Sequence, residues 1–316
     1  MTLAAMKNRI LVSGSIAYDR IMVFPGLFRD HFLPEKMHAL SVSFSIEKLT
    51  EGFGGTGGNI AYNLSLLGQQ AVLCSAAGND FERYREWLVG RGVEVGSIVI
   101  SEKPTAGAYV MTDMEDNQIT AFHFGAGEKP CADTIEMKDL DLAIVAPGNI
   151  ADMLCVPARC REAGVPFFCD SGQQITGLSA DQLQEHMEGA AVLFGNDYEM
   201  DMVMKKTGWG MKEVLRHVGV VIVTKGAQGC VVITKDGEER VEAVKANAVD
   251  PTGAGDSYRA GFAAAYLAKR PLRECAMLGS AVAAYAVESH GTQNHSFTTE
   301  ELRARYEGAY GESLNL

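Results

Sequence analysis

The sequence predicts an α/β fold in which a mainly parallel sheet is flanked by helices and a second, small β-sheet is added. Short apolar runs alternate with amphipathic or alanine-rich stretches along most of the chain, and two segments break this alternation. The apolar runs have the length of buried strands and lie at 9–13, 71–75, 142–146, 166–169, 192–195 and 220–224. Crossover helices are expected at 59–67, 81–89, 151–163, 180–187 and 199–206. Such crossovers place helices on both faces of a parallel sheet, so we expect a three-layer, Rossmann-type core.

Two segments lack the helices that separate the predicted strands elsewhere. Residues 21–48 and 106–124 contain alternating apolar and polar positions, as in SVSFSI at 41–46 and ITAF at 119–122. This alternation is typical of antiparallel strands with one buried face. We therefore expect a small β-sheet lid, inserted at about 17–50 and 104–125.

The remainder of the chain predicts one domain. Its last third has the pattern of three helices, at 254–269, 272–289 and 299–306. The sequence contains no linker rich in Pro and Ser, no low-complexity tract and no internal repeat. We expect residues 1–316 to form a single domain with its lid rather than two independent domains.

Composition and charge exclude several classes of protein. The chain has 316 residues, of which 47% are apolar and 22% charged, so a mainly disordered chain is excluded. Its longest apolar stretch, between Glu274 and Glu288, is shorter than the roughly 20 residues of a membrane-spanning helix. The N-terminus lacks a secretion signal, which predicts a cytoplasmic protein. The net charge of −12 argues against nucleic acid as a partner.

The stretch DPTGAGD at 250–256 carries the strongest chemical signal. It follows a predicted strand at 243–249 and opens a predicted helix. Gly253, Ala254 and Gly255 leave main-chain N–H groups unobstructed at a helix N-terminus, which suits an anionic phosphoryl group. Asp256 lies beside this anion site, where a carboxylate is useful as the base that takes a proton from an attacking hydroxyl. The alternative is a glycine turn in which Asp256 only stabilises the helix dipole.

A second glycine-containing turn follows the predicted strand 220–224. The sequence TKGAQG places Thr224 and Lys225 beside two glycines, Gly226 and Gly229. Glycines at both ends allow a nucleotide to approach the main chain, and the threonine hydroxyl can bind a phosphate. The alternative is a plain hairpin turn.

Asn196 and Glu199 follow the predicted strand 192–195. Their spacing places an amide and a carboxylate on one face of a first helical turn, which suits Mg²⁺ bound through water. The alternative is a helix N-cap with a capping-box glutamate.

Near the N-terminus, the glycine-rich run GGTGGN at 54–59 precedes a predicted helix. Its spacing differs from a dinucleotide-binding fingerprint. Gly55 brings the backbone close to a polyhydroxylated substrate, and Asn59 offers hydrogen bonds from the helix start. Asp19 would be the matching carboxylate for a vicinal diol, because one carboxylate accepts two hydroxyl donors. The alternative is that Asp19 is only a turn residue.

Together, these four motifs resemble those of the ribokinase-like (PfkB) family of carbohydrate and nucleoside kinases. The resemblance covers about residues 9–306 and implies ATP with Mg²⁺ as the phosphoryl donor. It also implies that Asp256 is the catalytic base and that residues 253–255 form the anion hole. The residues implied to bind ATP are Asn196, Thr224, Lys225, Gly226 and Gly229. Many members bind a monovalent cation such as K⁺ near this motif, which points to Asp250.

Three further stretches, DNQIT at 116–120, DSGQ at 170–173 and GDSYRAG at 255–261, are similar to archaeal and bacterial nucleoside kinases. The resemblance implies transfer to the 5′-hydroxyl of a ribonucleoside such as adenosine, inosine, guanosine or cytidine, as in nucleoside salvage. It places the ribose on Asp19, Gly55 and Asn59. Ser43 in the lid, Gln118 and Gln173 are implied to approach the base or the nucleotide.

Two alternatives remain: a ribose- or fructose-type sugar kinase of the same family and a non-catalytic nucleoside-binding protein. The protein is expected to be a monomer or a homodimer.

Overall fold

The computed structural model describes residues 8–32, 41–115 and 117–314. Within these residues the strands are β1 (Arg9–Ser13), β2 (Ala17–Val23), β3 (Lys48–Gly54), β4 (Gln70–Gly78), β5 (Ile98–Ser101), β6 (Ala106–Thr112), β7 (Gln118–His123), β8 (Leu142–Val145), β9 (Phe167–Asp170), β10 (Val192–Asn196), β11 (Val220–Thr224), β12 (Cys230–Thr234) and β13 (Gly237–Val241). The helices are α1 (Thr56–Leu66), α2 (Glu82–Val89), α3 (Ile150–Ala163), α4 (Ala180–Met187), α5 (Asp197–Thr207), α6 (Met211–His217), α7 (Ala254–Leu267), α8 (Leu272–Val287) and α9 (Thr299–Tyr310).

The large sheet has the strand order β13-β12-β11-β10-β9-β8-β1-β4-β5 in the described part of the chain. Its strands from β11 to β5 are parallel, and β12 and β13 extend one edge as an antiparallel hairpin. Successive side chains along a strand point to opposite faces of the sheet and enter two different cores. Ile10 and Val12 pack with α1, α7 and α8, whereas Leu11 packs with α3, α4 and α5 on the other face. The predicted three-layer α/β core is thus confirmed.

The strand order reverses around β1, and this reversal determines where a ligand can bind. The chain passes from β1 to β4 on one side, and later continues through β8 and β9 on the other. The loops at the carboxyl ends of β1 and β8 therefore diverge and leave a crevice between them. Residues 13–15 and 147–149 line a cavity at this position.

The small sheet has the order β3-β2-β6-β7. Directly opposite residues share a face, and Asp19, Ala108 and Phe122 are register partners across β2, β6 and β7. The expectation of antiparallel strands is confirmed for β2 with β3 and for β6 with β7, but it is wrong for the central pair β2 and β6, which is parallel. A parallel pair is possible because β4, α2 and β5 lie between the two strands in the sequence.

Two predicted strands are absent. Residues 41–46 form no strand, and Phe44 instead packs against the rings of Phe24 and Phe28. Residues 243–249 are not a strand either, because their backbone bonds to a helix: Val244 N–H donates to Ser280 Oγ, and Val249 N–H to the Val287 carbonyl of α8. Residues 33–40 of the expected lid and Asp116 lie outside the described residues.

Candidate active site

The N-terminus of α7 presents the backbone expected of an anion site. Gly253 is the N-cap residue with a φ of 77°, in the left-handed region that favours glycine. A Cβ at Gly255 would lie 2.5 Å from Arg259 Nη1, so a larger residue there would displace that guanidinium. The N–H of Ala254 donates to Pro251, whereas no described residue accepts from the N–H groups of Gly255 and Asp256. These two donors are available to an anion.

Asp256 lies in the first turn of α7 and is 8% exposed. Its Oδ2 accepts a hydrogen bond of 2.9 Å from Nδ2 of Asn59, on α1. Burial raises the pKa of the Asp256 carboxyl, while the charge of Arg259 and the hydrogen bond from Asn59 lower it. The structure therefore joins two residues that are 197 positions apart in the sequence and that the motifs predicted separately.

Asp19 is near Asp256 and interacts with it electrostatically. Burial, together with the charges of Asp256 and Asp250, raises the pKa of Asp19 to about 6. The end of β3 is shaped around this side chain, since a Cβ at Gly54 would lie 2.1 Å from Asp19 Oδ2. Gly55, the N-cap residue of α1, has a φ of 86°, and a Cβ there would lie 2.6 Å from the Ser15 carbonyl. The glycine run thus lets the main chain pass close to Asp19.

Arg259 and Asp170 form an ion pair that the motifs did not predict. Arg259 Nη2 lies 2.5 Å from Asp170 Oδ2, and their side chains are 12% and 3% exposed. Burial raises the pKa of Asp170 to about 7, and the Arg259 charge opposes this shift. Arg259 Nε is buried without a protein partner. The spacing of Arg259, three residues after Asp256 on one helix face, was the available sequence signal.

A cavity of about 580 Å³ extends from the start of α7 to the turn after β11. Thr224, Gly226 and Gly229 line one side, and Ala254 and Gly255 line the other. The turn is the hairpin between β11 and β12, so the hairpin alternative is the observed structure and the turn also borders the cavity. Glycine is required at position 229, where φ is 84° and a Cβ would lie 2.0 Å from the Val241 carbonyl. Lys225 is exposed and does not line this cavity.

The rest of this cavity comes from residues that the sequence did not single out. The extended segment that replaces the predicted strand 243–249 forms one wall, and α8 forms another. The lining there is mostly apolar and includes Ala246, Ala283 and Val287. An apolar slot beside a helix N-terminus suits a planar base attached to phosphates.

Asn196 and Glu199 form the capping box of α5. Asn196 Oδ1 accepts from the N–H of Glu199, and Glu199 Oε2 accepts from the N–H of Asn196, both at 2.8 Å. Asn196 also pairs in register with Thr224 of β11, and the charge of Glu199 contributes to the raised pKa of Asp170. The capping alternative is therefore observed, and the second oxygen of Glu199 remains available to a hydrated metal ion.

A second cavity of about 330 Å³ lies in the crevice beside β1. Gln173 lines it, as do Asn149 and two aromatic residues at the end of β7, Phe122 and Phe124. Gln118 and Ser43 are exposed and do not line it. Ser43 lies in the segment wrongly expected to be a strand. Contacts of Gln118 and Ser43 with a ligand remain predictions.

Asp250 joins two loops near Asp19. Its Oδ1 accepts from the N–H of Thr252 and its Oδ2 from the N–H of Gly291, both at 2.9 Å. These hydrogen bonds lower the pKa of Asp250 and keep it ionised. Binding of a monovalent cation there remains a prediction.

A buried carboxylate beside unpaired main-chain N–H groups, at a helix start that borders a nucleotide-sized cavity, is the arrangement of a phosphotransferase that acts on a hydroxyl group. Residues 9–300 match the pfkB family of carbohydrate kinases, and the chain belongs to this family.

Among the similar proteins is the nucleoside kinase of Methanothermobacter thermautotrophicus. It is 35% identical over 314 residues, with 96% of each chain covered. The structure of the Burkholderia thailandensis nucleoside kinase in complex with inosine has a TM-score of 0.86 and 35% identity, covering 96% of this chain and 99% of that one. The nucleoside kinase of Methanocaldococcus jannaschii has a TM-score of 0.85 and 28% identity, covering 95% and 98%.

In the described part of the chain, no helix combines the length and apolar character needed to cross a bilayer.

Proposed function

We propose that the protein transfers the γ-phosphoryl group of ATP to the 5′-hydroxyl of a ribonucleoside, producing the 5′-monophosphate and ADP. The observation that carries this proposal is the buried Asp256 carboxylate. It adjoins the unpaired N–H groups at the start of α7 and interacts with Asp19. The kinases of B. thailandensis and M. jannaschii support a nucleoside as the acceptor.

The residues divide the chemistry between them. Asp19 and Asn59 bind the ribose hydroxyls, and Asp256 accepts the proton of the 5′-hydroxyl as its oxygen attacks the γ-phosphorus. The bond from that phosphorus to the bridging oxygen of ADP breaks in line with the new bond. The N–H groups of Gly255 and Asp256 and the charge of Arg259 stabilise the transferred group. The 580 Å³ cavity holds the adenosine part of ATP.

Mg²⁺ fits the oxygen-rich end of β10. Asn196 and Glu199 would hold it through water, since their capping box leaves a carboxylate oxygen free. Bound with ATP, the ion neutralises phosphate charge. The protein's own residues hold the acceptor hydroxyl and remove its proton.

The smaller cavity favours a nucleoside over a free sugar. Its aromatic side chains, Phe122 and Phe124, offer surfaces for stacking, and the amides of Gln173 and Asn149 can bond the edge of a base. A free pentose would leave these groups without a partner. We infer that the base lies in this cavity and the ribose between it and Asp256.

The test is incubation with ATP and Mg²⁺ against adenosine, inosine, guanosine, cytidine, ribose and fructose, with products identified by mass spectrometry. We expect nucleoside 5′-monophosphates. Phosphorylation of a free sugar alone would identify a sugar kinase, and binding without turnover would identify a nucleoside-binding protein.

The matching variant is Asp256→Asn. The base acts in the transition state. We therefore expect its loss to lower kcat by about 10³-fold while nucleoside affinity stays within a few-fold. Calorimetric titration with nucleoside measures the affinity. A variant with nearly unchanged kcat would disprove the assignment of Asp256 as the base.

A further inference from the structure

Three hydrogen bonds in series lead from the surface of the domain to Asp256. Trp87 Nε1 on α2 donates to Gln293 Oε1 at 3.1 Å, and Gln293 Nε2 donates to Asn59 Oδ1 at 3.1 Å. Asn59 Nδ2 then donates to Asp256 Oδ2 at 2.9 Å. We call this series the donor chain. Gln293 and Asn59 are 2% and 4% exposed, so water does not compete for these bonds.

The donor chain has one possible direction. An indole N–H can only donate, so the group of Gln293 that contacts Trp87 must be its carbonyl oxygen. The NH₂ group of Gln293 then points to Asn59 and requires the Asn59 oxygen as acceptor. The Asn59 NH₂ group must therefore point to Asp256, and it keeps a second N–H for a substrate hydroxyl.

If Asn59 were turned over, its carbonyl oxygen would face the Asp256 carboxylate, and two acceptors would be in contact. We propose that Trp87 and Gln293 are positioning residues that fix the Asn59 amide with its donor toward Asp256. This proposal rests on the proposed function of Asp256 as the base. It assigns a part in the reaction to two residues outside the sequence motifs.

The surrounding packing preserves the donor chain. A Cβ at Gly58 would lie 2.0 Å from the Tyr84 hydroxyl and 3.3 Å from Gln293 Nε2. Tyr84 accepts a hydrogen bond of 2.5 Å from Gln293 and donates one of 2.9 Å to the Gly54 carbonyl. Every polar group around Gln293 is thereby paired in the direction set by Trp87.

Charged and titratable groups from several elements also interact electrostatically with Asp256. Arg259 lies on its own helix, Asp19 on β2, Asp170 at the end of β9 and Tyr84 on α2. The donor chain adds a neutral donor to this set. Changes in Trp87 or Gln293 therefore alter one interaction of the base and leave the charges in place.

The experiment measures the pH dependence of kcat with saturating nucleoside and ATP, because kcat reports groups in the bound complex, where Asp19 already holds the ribose. In Gln293→Leu the Asn59 amide is no longer fixed. We expect the acid limb of the kcat profile to move up by about one pH unit. At a given pH on that limb, kcat then falls about tenfold. On the alkaline plateau, kcat of the variant should stay within about threefold of the wild-type value.

Trp87→Phe keeps an aromatic ring and removes only the N–H, so it tests the proposal even if the leucine variant fails to fold. We expect a smaller shift in the same direction. Combining the two substitutions should add nothing to the shift of Gln293→Leu, because Trp87 acts through Gln293.

Tyr62→Phe is the matched control. Tyr62 lies on α1, and its hydroxyl donates to the carbonyl of His295, so the substitution removes a buried hydrogen bond between the same two segments. The Tyr62 ring stacks on Trp87 and is kept in phenylalanine, while the hydroxyl that is removed makes no hydrogen bond to the donor chain. We therefore expect the acid limb to stay in place.

Unshifted acid limbs in both Gln293→Leu and Trp87→Phe, or limbs shifted equally in Tyr62→Phe, would overturn the proposal. Failure of the proposed function is separate, because it would appear as retained kcat in Asp256→Asn.

Discussion

Asp19, the proposed ribose ligand, should make nucleoside binding depend on pH. Its pKa is raised to about 6, so the carboxyl becomes protonated as the pH falls through 6 and then loses the ability to accept from two hydroxyls. We predict that KM for a ribonucleoside rises below pH 6.

We also predict that Asp19→Ala weakens the binding of ribonucleosides far more than the binding of their 2′-deoxy forms, because the diol pairing is lost. Steady-state kinetics on both substrates between pH 5 and 8 tests this, and equal losses would count against it.

Arg259 adjoins the predicted anion hole, since its Nη1 would lie 2.5 Å from a Cβ at Gly255, and it pairs with Asp170. Removing its charge should leave the transferred phosphoryl group less stabilised. We predict that Arg259→Gln lowers kcat by about 10²-fold with a smaller change in nucleoside KM. Arg216→Gln is the control, since Arg216 is an exposed residue paired with Glu213 on α6. Equal effects of the two substitutions would show that Arg259 has no special part.

At the scale of elements, β3 leaves room for the Asp19 carboxylate of the proposed acceptor site, because Gly54 has no side chain. A Cβ at Gly54 would lie 2.1 Å from Asp19 Oδ2, whereas one at Gly52, on the same strand, has no neighbour closer than 4.0 Å. We predict that Gly54→Ala displaces Asp19 and raises nucleoside KM at least about tenfold, a loss of ~1.4 kcal/mol. ATP KM should stay nearly constant. Gly52→Ala, as the matched control, should change neither, and equal effects in both variants would contradict this account.

Elements also explain where prediction from sequence failed. Segment 243–249 has the apolar composition of a strand, yet its N–H groups at Val244 and Val249 bond to α8. Segment 41–46 alternates as a strand does, yet Phe44 packs into an aromatic cluster. Composition and alternation report burial but not the identity of the hydrogen-bond partner, which depends on distant parts of the chain.

At the scale of the whole molecule, residues next to the small sheet and residues next to the large sheet together line the cavity of about 330 Å³ in which we propose that the acceptor base binds. Phe122 and Phe124 approach from the small sheet, while Ser15, Asn149 and Gln173 approach from the large one. Closure of the small sheet over the ribose would exclude water and limit ATP hydrolysis.

We predict that nucleoside slows amide hydrogen exchange in β6 and β7 and leaves β12 and β13 unchanged. Exchange measured by mass spectrometry with and without nucleoside tests this. Equal protection of both hairpins would argue against closure of the small sheet. The expectation of a monomer or a homodimer stays a prediction. Leu49 and Ile119 are exposed apolar residues on the small sheet that a second copy would cover, and sedimentation would measure the oligomeric state.

The sequence by itself determined the class of fold and pointed to Asp256 as the proposed base and to three glycine-containing segments as parts of the candidate site. These signals are local, because a strand, a helix start or a glycine turn needs only neighbouring residues. Only the tertiary structure decided that Asn59 donates to Asp256 and that Asp170 pairs with Arg259. It also decided that Trp87 donates to Gln293 and that Gln293 donates to Asn59. Each of these contacts joins residues far apart in the chain, and no local pattern encodes which buried polar groups will meet.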